Sequence, residues 1–271
     1  MLALIRACHP GPTVVVTAAG CALAAGVGRG AAGTVLVGAA VLSGQLSIGW
    51  SNDWIDRARD RAIGRADKPL SADAVEPRTV GTAALAALAL CVPLSLASGV
   101  LAGLAHLAAV ACGWLYNVRL KSTVASPLPF AVAFGLLPAF VTLGLLGRPW
   151  PAWWALAAGA LLGMGAHFAN VLPDLPDDLA LGVRGLPQRL GPVGARIGAA
   201  GLLVSASIVI TVAPEGRGGP LTLAGLGAVA LVLGAGVVVA RRSVRRAAFG
   251  VIVAVALIDL TMFVAQGGQL A

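Results

Sequence analysis

The chain has 271 residues, 58% of them hydrophobic and 11% charged, with a formal net charge of +8. A soluble globular protein carries roughly 25% charged residues, so a chain with a mean hydropathy of +0.91 has too little polar surface to face water all round. This excludes a soluble domain, and lipid is the solvent that fits the composition.

One bilayer crossing takes roughly 20 apolar residues. The first apolar run, 12–28, begins after Arg6, His9 and Pro10 with no convincing cleavage site, so it reads as a span and not as a signal peptide. The second, 31–50, leads directly into an acidic cluster. The third and fourth, 79–98 and 100–117, are parted only by Ser98-Gly99. The fifth and sixth cover 127–146 and 150–172, and the sixth leads into a second acidic cluster. The last three cover 193–213, 220–240 and 246–266. The pattern predicts an all-α integral membrane bundle of nine transmembrane helices forming one domain over residues 1–271. Many of its 36 glycines suit close helix packing in lipid. Cys8, Cys21, Cys91 and Cys112 form no close pair and read as reduced packing residues.

Charge supports that count. With a cytoplasmic N-terminus and nine spans, all of the 19 basic residues except Arg29, Arg148 and Arg217 fall on the cytoplasmic side, as the positive-inside rule expects. The protein is therefore expected in the cell membrane as a multi-pass chain with its N-terminus and acidic loops in the cytoplasm. The basic excess is a matter of topology, and nucleic acid is not an expected partner.

Nine of the 11 acids lie in two places: Asp53, Asp56, Asp60, Asp67, Asp73 and Glu76 after the second span, and Asp174, Asp177 and Asp178 after the sixth. Asn52, Asp56 and Asp60 are spaced i, i+4, i+8, on one face of a helix continuing out of the second span. Asn170, Asp174 and Asp178 repeat that spacing, although Pro173 and Pro176 are expected to kink or break the second helix. Like charges at i, i+4 repel, and acids at a membrane boundary carry a desolvation cost. Two such rows need a cation between them. Magnesium fits, because it prefers oxygen ligands and bridges carboxylates to substrate phosphates. A magnesium-bound diphosphate is a good leaving group, and basic residues follow each row: Arg65 and Lys68 after the first, Arg184 and Arg189 after the second. An apolar cavity within the bundle would hold the tail and exclude water.

Asn52-Asp53-Trp54-Ile55-Asp56-Arg57-Ala58-Arg59-Asp60 resembles the first signature of the UbiA superfamily of intramembrane prenyltransferases. The stretch from Asp174 through Asp178 to Pro187 resembles that family's second motif and the loop after it. Arg65-Ala66-Asp67-Lys68-Pro69-Leu70 resembles the basic segment after the first motif, and Tyr116-Asn117-Val118-Arg119-Leu120-Lys121 the segment ending the fourth helix. The resemblance implies a helical bundle around a central cavity and Mg2+-dependent prenyl transfer. It assigns Asn52, Asp56, Asp60, Asn170, Asp174 and Asp178 to Mg2+, with Asp53 assisting. Lys68, Lys121, Arg184 and Arg65 are assigned to the diphosphate, and Tyr116 to the reacting centre, where its ring would stabilise a cation; an interfacial anchor is an equal reading of Tyr116. The resemblance makes Asp56 and Asp174 the central catalytic acids. The chain departs from the family in Leu179-Ala180-Leu181, where many members carry a charge, and in Pro176.

The partners so implied are an isoprenyl diphosphate donor, a lipophilic or aromatic acceptor that the residues do not select, and the bilayer. The alternative is a terpene cyclase of the same family, which would ionise the donor and close it on itself. A cation-coupled transporter fits poorly, since transporter acids lie near the midplane. His167 reads as a core histidine more than as a base, and His106 as a packed polar residue. His9 and Arg6 read as topology anchors more than as contacts for an anionic acceptor. Asp259, inside the last span, awaits a partner.

Overall fold

The computed structural model describes residues 2–62, 64, 68–214, 219–240 and 244–270, without the side chains of 236–240 and 244–248. Arg65 lies outside the described residues, as do Asp67, Glu215, Arg217, Arg241, Arg242 and the side chains of Arg245 and Arg246.

Among the described residues there are ten α-helices and no strand. They are α1 (Leu2–Ala7), α2 (Pro10–Gly26), α3 (Gly30–Ala62), α4 (Pro77–Ala97), α5 (Val100–Val118), α6 (Leu128–Thr142), α7 (Trp153–Ala180), α8 (Leu186–Val212), α9 (Pro220–Ala240) and α10 (Val244–Ala265). Each of the nine expected spans finds its helix in α2 to α10, and the short α1 precedes them. By length and composition α3, α4, α5, α7 and α8 are long and apolar enough to cross a membrane. The apolar stretches Pro10–Gly26, Leu128–Thr142, Pro220–Ala235 and Phe249–Ala265 are shorter. The Ser98-Gly99 step does separate two helices: Ser98 caps α4, and Gly99 turns the chain at φ 113°, a conformation open to glycine.

The expected break at Pro173 and Pro176 does not occur, and α7 runs unbroken to Ala180. Each proline removes one N–H from the ladder, leaving the carbonyls of Ala169 and Leu172 without their usual i+4 donors. The turns on either side still carry the helix past both. The irregularity falls instead in α8, where Gly191 adopts φ 71° and ψ 179° just before Pro192.

Helices α2, α3, α5, α6 and α7 surround a cavity. Outside them, α4 packs on α3 and α5, α8 packs on α7, and α10 joins α7 and α8 back to α2. Small residues set the spacing. A Cβ on Gly159 or Gly163 of α7 would run into the Phe134 or Phe130 carbonyl of α6, and a Cβ on Gly49 of α3 would overlap the Cys8 carbonyl. Contacts this close are the packing lipid rewards, since helices there gain nothing from excluding water. Asp259 has its partner in α8, where the Ser207 hydroxyl donates to Oδ1 at 2.5 Å with both side chains fully buried. It therefore acts as a link between helices.

Candidate active site

The cavity has a volume of about 380 Å³. One end is lined by Asn52, Asp56 and Asp60 from α3 and by Asn170, Asp174 and Asp178 from α7. Both sequence rows thus face one space, from two different helices. Each row lies at the C-terminal end of its helix, where the helix dipole is negative and repels carboxylates. Gly182 (φ 72°) closes α7, with the Val183 N–H on the Asp178 carbonyl at 2.9 Å, so the second row ends in a defined cap.

The first row is held by polar neighbours. Asp56 pairs with Lys121, from the turn after α5, and with Arg59 one turn along α3. Burial pulls the Lys121 ammonium below the usual lysine value, and Asp56 opposes that shift. Asn117 donates to the Ile48 carbonyl and to the Ser51 hydroxyl, both at 2.9 Å, and its oxygen takes the Asn52 amide hydrogen at 3.1 Å. This bond uses the donor side of Asn52 and leaves its carbonyl oxygen available to a cation. In the second row, Gln188 of α8 donates to Asp178 Oδ2 at 2.8 Å.

Asp53 stands apart from the residues that line the cavity. It is buried, and its Oδ1 takes Lys68 Nζ at 2.6 Å and faces His9 Nε2 at 2.9 Å. Lys68 and His9 do line the cavity, so Asp53 places a lysine and an imidazole at the acidic end. The backbone of His9 is left-handed, at φ 56°, where the chain turns from α1 into α2. Arg184 is exposed and outside the lining; its carbonyl accepts from Arg189 Nε at 2.8 Å.

Next to the acids lies an aromatic group. Tyr116 meets Phe130 edge-on at 4.9 Å and His167 at 5.4 Å, while Phe130 and His167 stack at 4.6 Å. All three line the cavity. His167 is buried, with Nε2 3.0 Å from the Ser126 hydroxyl. Farther in, the lining is mainly apolar.

Sequence reasoning passed over Asn117, Gln188 and Phe130. Asn117 lies inside a segment singled out by its resemblance and Gln188 directly follows another, and that was the available signal. Phe130 carries no motif, and only packing identifies it.

The donor set suits magnesium. Among the described residues no three His, Cys, Asp or Glu side chains converge closely enough to form a closed metal cage. Magnesium keeps several waters and binds through one or two carboxylates plus substrate phosphates, so open rows of oxygen ligands beside two lysines fit it better than a cage would.

A sequence profile for the UbiA prenyltransferase family matches residues 13–263, whereas no curated protein sequence matches. Solved structures share the fold. A UbiA homologue from Archaeoglobus fulgidus bound to GPP and Mg2+ superposes with a TM-score of 0.71 at 20% identity, covering 98% of each chain. An apo UbiA homologue from Aeropyrum pernix K1 gives 0.69 at 23% identity, covering 91% of this chain and 96% of that one. A structure of digeranylgeranylglyceryl phosphate synthase gives 0.68 at 16% identity, covering 99% and 98%. With the profile spanning nearly the whole sequence and the helices arranged as in these structures, the chain belongs to the UbiA prenyltransferase family.

Proposed function

We propose that this protein transfers a prenyl group from an isoprenyl diphosphate to a lipophilic or aromatic acceptor and releases diphosphate, with Mg2+ as its cofactor. The observation that carries this reading is the meeting of two oxygen-rich rows, Asn52/Asp56/Asp60 and Asn170/Asp174/Asp178, at one end of an otherwise largely apolar cavity. The Archaeoglobus fulgidus homologues bound to GPP with Mg2+ and to DMAPP with Mg2+ support the same assignment.

Magnesium held by the two rows would neutralise the negative charge that grows on the diphosphate as its carbon–oxygen bond breaks. Lys121 and Lys68 add positive charge at the same end, with Asp53 holding Lys68 in place. The rings of Tyr116 and Phe130, which line the cavity beside the acids, would stabilise positive charge developing on the allylic carbon. The apolar walls keep water from capturing the cation before the acceptor does. Asn52 is oriented through Asn117, and Asp178 through Gln188. Arg184, on the loop after α7, and Arg65 are assigned to the diphosphate on their motif positions. The catalytic end is assigned to the cytoplasmic side, on the charge bias of the sequence.

The test is turnover by the purified protein with Mg2+ and prenyl diphosphates of several lengths, with and without aromatic and lipid acceptors. A prenylated acceptor together with diphosphate supports transfer. Diphosphate release without an acceptor, giving a cyclic hydrocarbon, would replace transfer with cyclisation. No turnover of any prenyl diphosphate would overturn the reading.

A further inference from the structure

We propose that Ser126 and Gly185 form a joint that fixes the second acidic row against the first, and that Ser126 is thereby a positioning residue for binding of Mg2+ and diphosphate. The inference rests on the Mg2+-diphosphate reading above and adds the residues that hold the two halves of that site at one spacing.

Magnesium takes near-octahedral coordination at about 2.0–2.1 Å and tolerates little distortion. Ligands drawn from both α3 and α7 therefore need a set separation, held to within roughly 0.5 Å.

The turn between α5 and α6 supplies the fixed point. It carries Lys121, the partner of Asp56, and five residues later Ser126, which is fully buried. The turn braces itself. Thr123 N–H donates to the Leu120 carbonyl at 3.0 Å, Ser126 N–H to the Thr123 carbonyl at 3.1 Å, and Ala125 N–H to the Thr123 hydroxyl at 3.2 Å. Lys121 and Ser126 thus belong to one rigid piece.

From that piece a single hydroxyl reaches both sides of the second row. Ser126 Oγ lies 3.0 Å from Nε2 of His167, three residues before Asn170 on α7. It also accepts the N–H of Leu186, eight residues after Asp178, at 3.0 Å. A hydroxyl offers one proton and two lone pairs, so with Leu186 donating it keeps its proton for the imidazole. Leu186 opens α8, and Gln188, two residues on, donates to Asp178 Oδ2. A run of contacts therefore leads from Asp56 through Lys121 and Ser126 to Gln188 and Asp178.

Gly185 closes the joint. Its backbone angles, φ −64° and ψ 172°, are open to any residue, so the glycine is there for room and not for conformation. A Cβ would lie 2.6 Å from the Lys121 carbonyl oxygen, 2.8 Å from Ser126 Oγ and 2.6 Å from Gln188 Oε1. The Gln188 amide could turn aside. The Lys121 carbonyl is backbone, and it gives way only if the α7–α8 loop moves off the turn. One glycine thus touches the groups that position Asp56 and Asp178 alike.

Isothermal calorimetry of Mn2+-diphosphate binding to the detergent-purified protein tests the joint without turnover. Ser126→Ala and Gly185→Ala are each expected to weaken binding about tenfold or more, as groups that orient metal ligands do. Ser207→Ala is the control: it breaks a buried hydrogen bond, to Asp259, outside the cavity lining. It is expected to lower the unfolding temperature and leave the binding unchanged. Should Gly185→Ala fail to fold, Ser126→Ala alone decides, because it only removes one oxygen. Wild-type binding by Ser126→Ala, or an equal loss in Ser207→Ala, would overturn the joint and leave prenyl transfer standing. Absence of Mn2+-diphosphate binding by the wild type would overturn the Mg2+-diphosphate reading itself, and the joint with it.

Discussion

The two acidic rows share a sequence spacing but are held in different ways. On α3 the row follows an uninterrupted ladder; Asp56 is buried between Lys121 and Arg59, and Asn52 is turned by Asn117. On α7 the row passes two prolines, its Asn170 is exposed toward the cavity, and a neutral amide from Gln188 orients Asp178. Ion pairs with Lys121 and Arg59 thus hold Asp56 in the first row, while a neutral amide is among the groups that hold Asp178 in the second. Ion pairs between neighbouring groups resist movement.

If both rows act on the same diphosphate, removing either central acid has the largest effect. Asp56→Ala and Asp174→Ala are each expected to lower turnover about a thousandfold at saturating donor and Mg2+, in line with losing a main electrostatic contact to the transition state. The double variant is expected to be inactive. Initial-rate measurements check this, and full activity in either single variant would mean that its row is not part of the site. The comparison sharpens at Lys121, which belongs to the first row only. Lys121→Met removes one charge-assisted interaction, expected to raise KM for the donor about tenfold to a hundredfold. The same change also leaves Asp56 short of a partner, so a loss of folded stability accompanies it. Gln188→Ala tests the second row. Groups that orient metal ligands typically change metal affinity about tenfold to a hundredfold, so the variant should need more Mg2+ for half-maximal rate while keeping most of its rate at saturation. An unchanged Mg2+ titration would remove Gln188 from the site.

Much of this site was legible before folding, because a helix converts spacing into direction. Asn52, Asp56 and Asp60 had to share a face, and the apolar run before them fixed the helix. The apolar runs became helices for the same reason, five of them long and apolar enough to cross a membrane, since runs of that length have few alternatives to helix in lipid. Contacts made across long stretches of chain were not legible. Lys68 meets Asp53 and His9 through a turn whose path no local rule gives, and Asn117 reaches Asn52 only once α5 packs on α3. Asp53 shows the limit most clearly. It is one residue from Asn52, but one residue is about 100° around a helix, enough to turn it from the cavity to the α1–α2 junction. Its spacing from Asp56 did not reveal which of its neighbours would supply the cations.

The smallest expected effect concerns the prolines, where sequence and structure disagree. If α7 is helical through Pro176, that residue already has helical backbone angles, and alanine fits there without strain. Pro176→Ala then restores an N–H for the Leu172 carbonyl and removes a ring clash, a gain of up to about 3 kcal/mol in a helix interior. Against that, the unfolded chain gains freedom worth about 0.4–1 kcal/mol. The net expectation is a more stable protein, measured as a higher unfolding temperature in detergent, with turnover within about threefold of wild type since Asp174 and Asp178 keep their register. Should turnover fall much further while stability rises, the proline would be setting the direction of the second row. The two rows would then differ in geometry as well as in the way they are held.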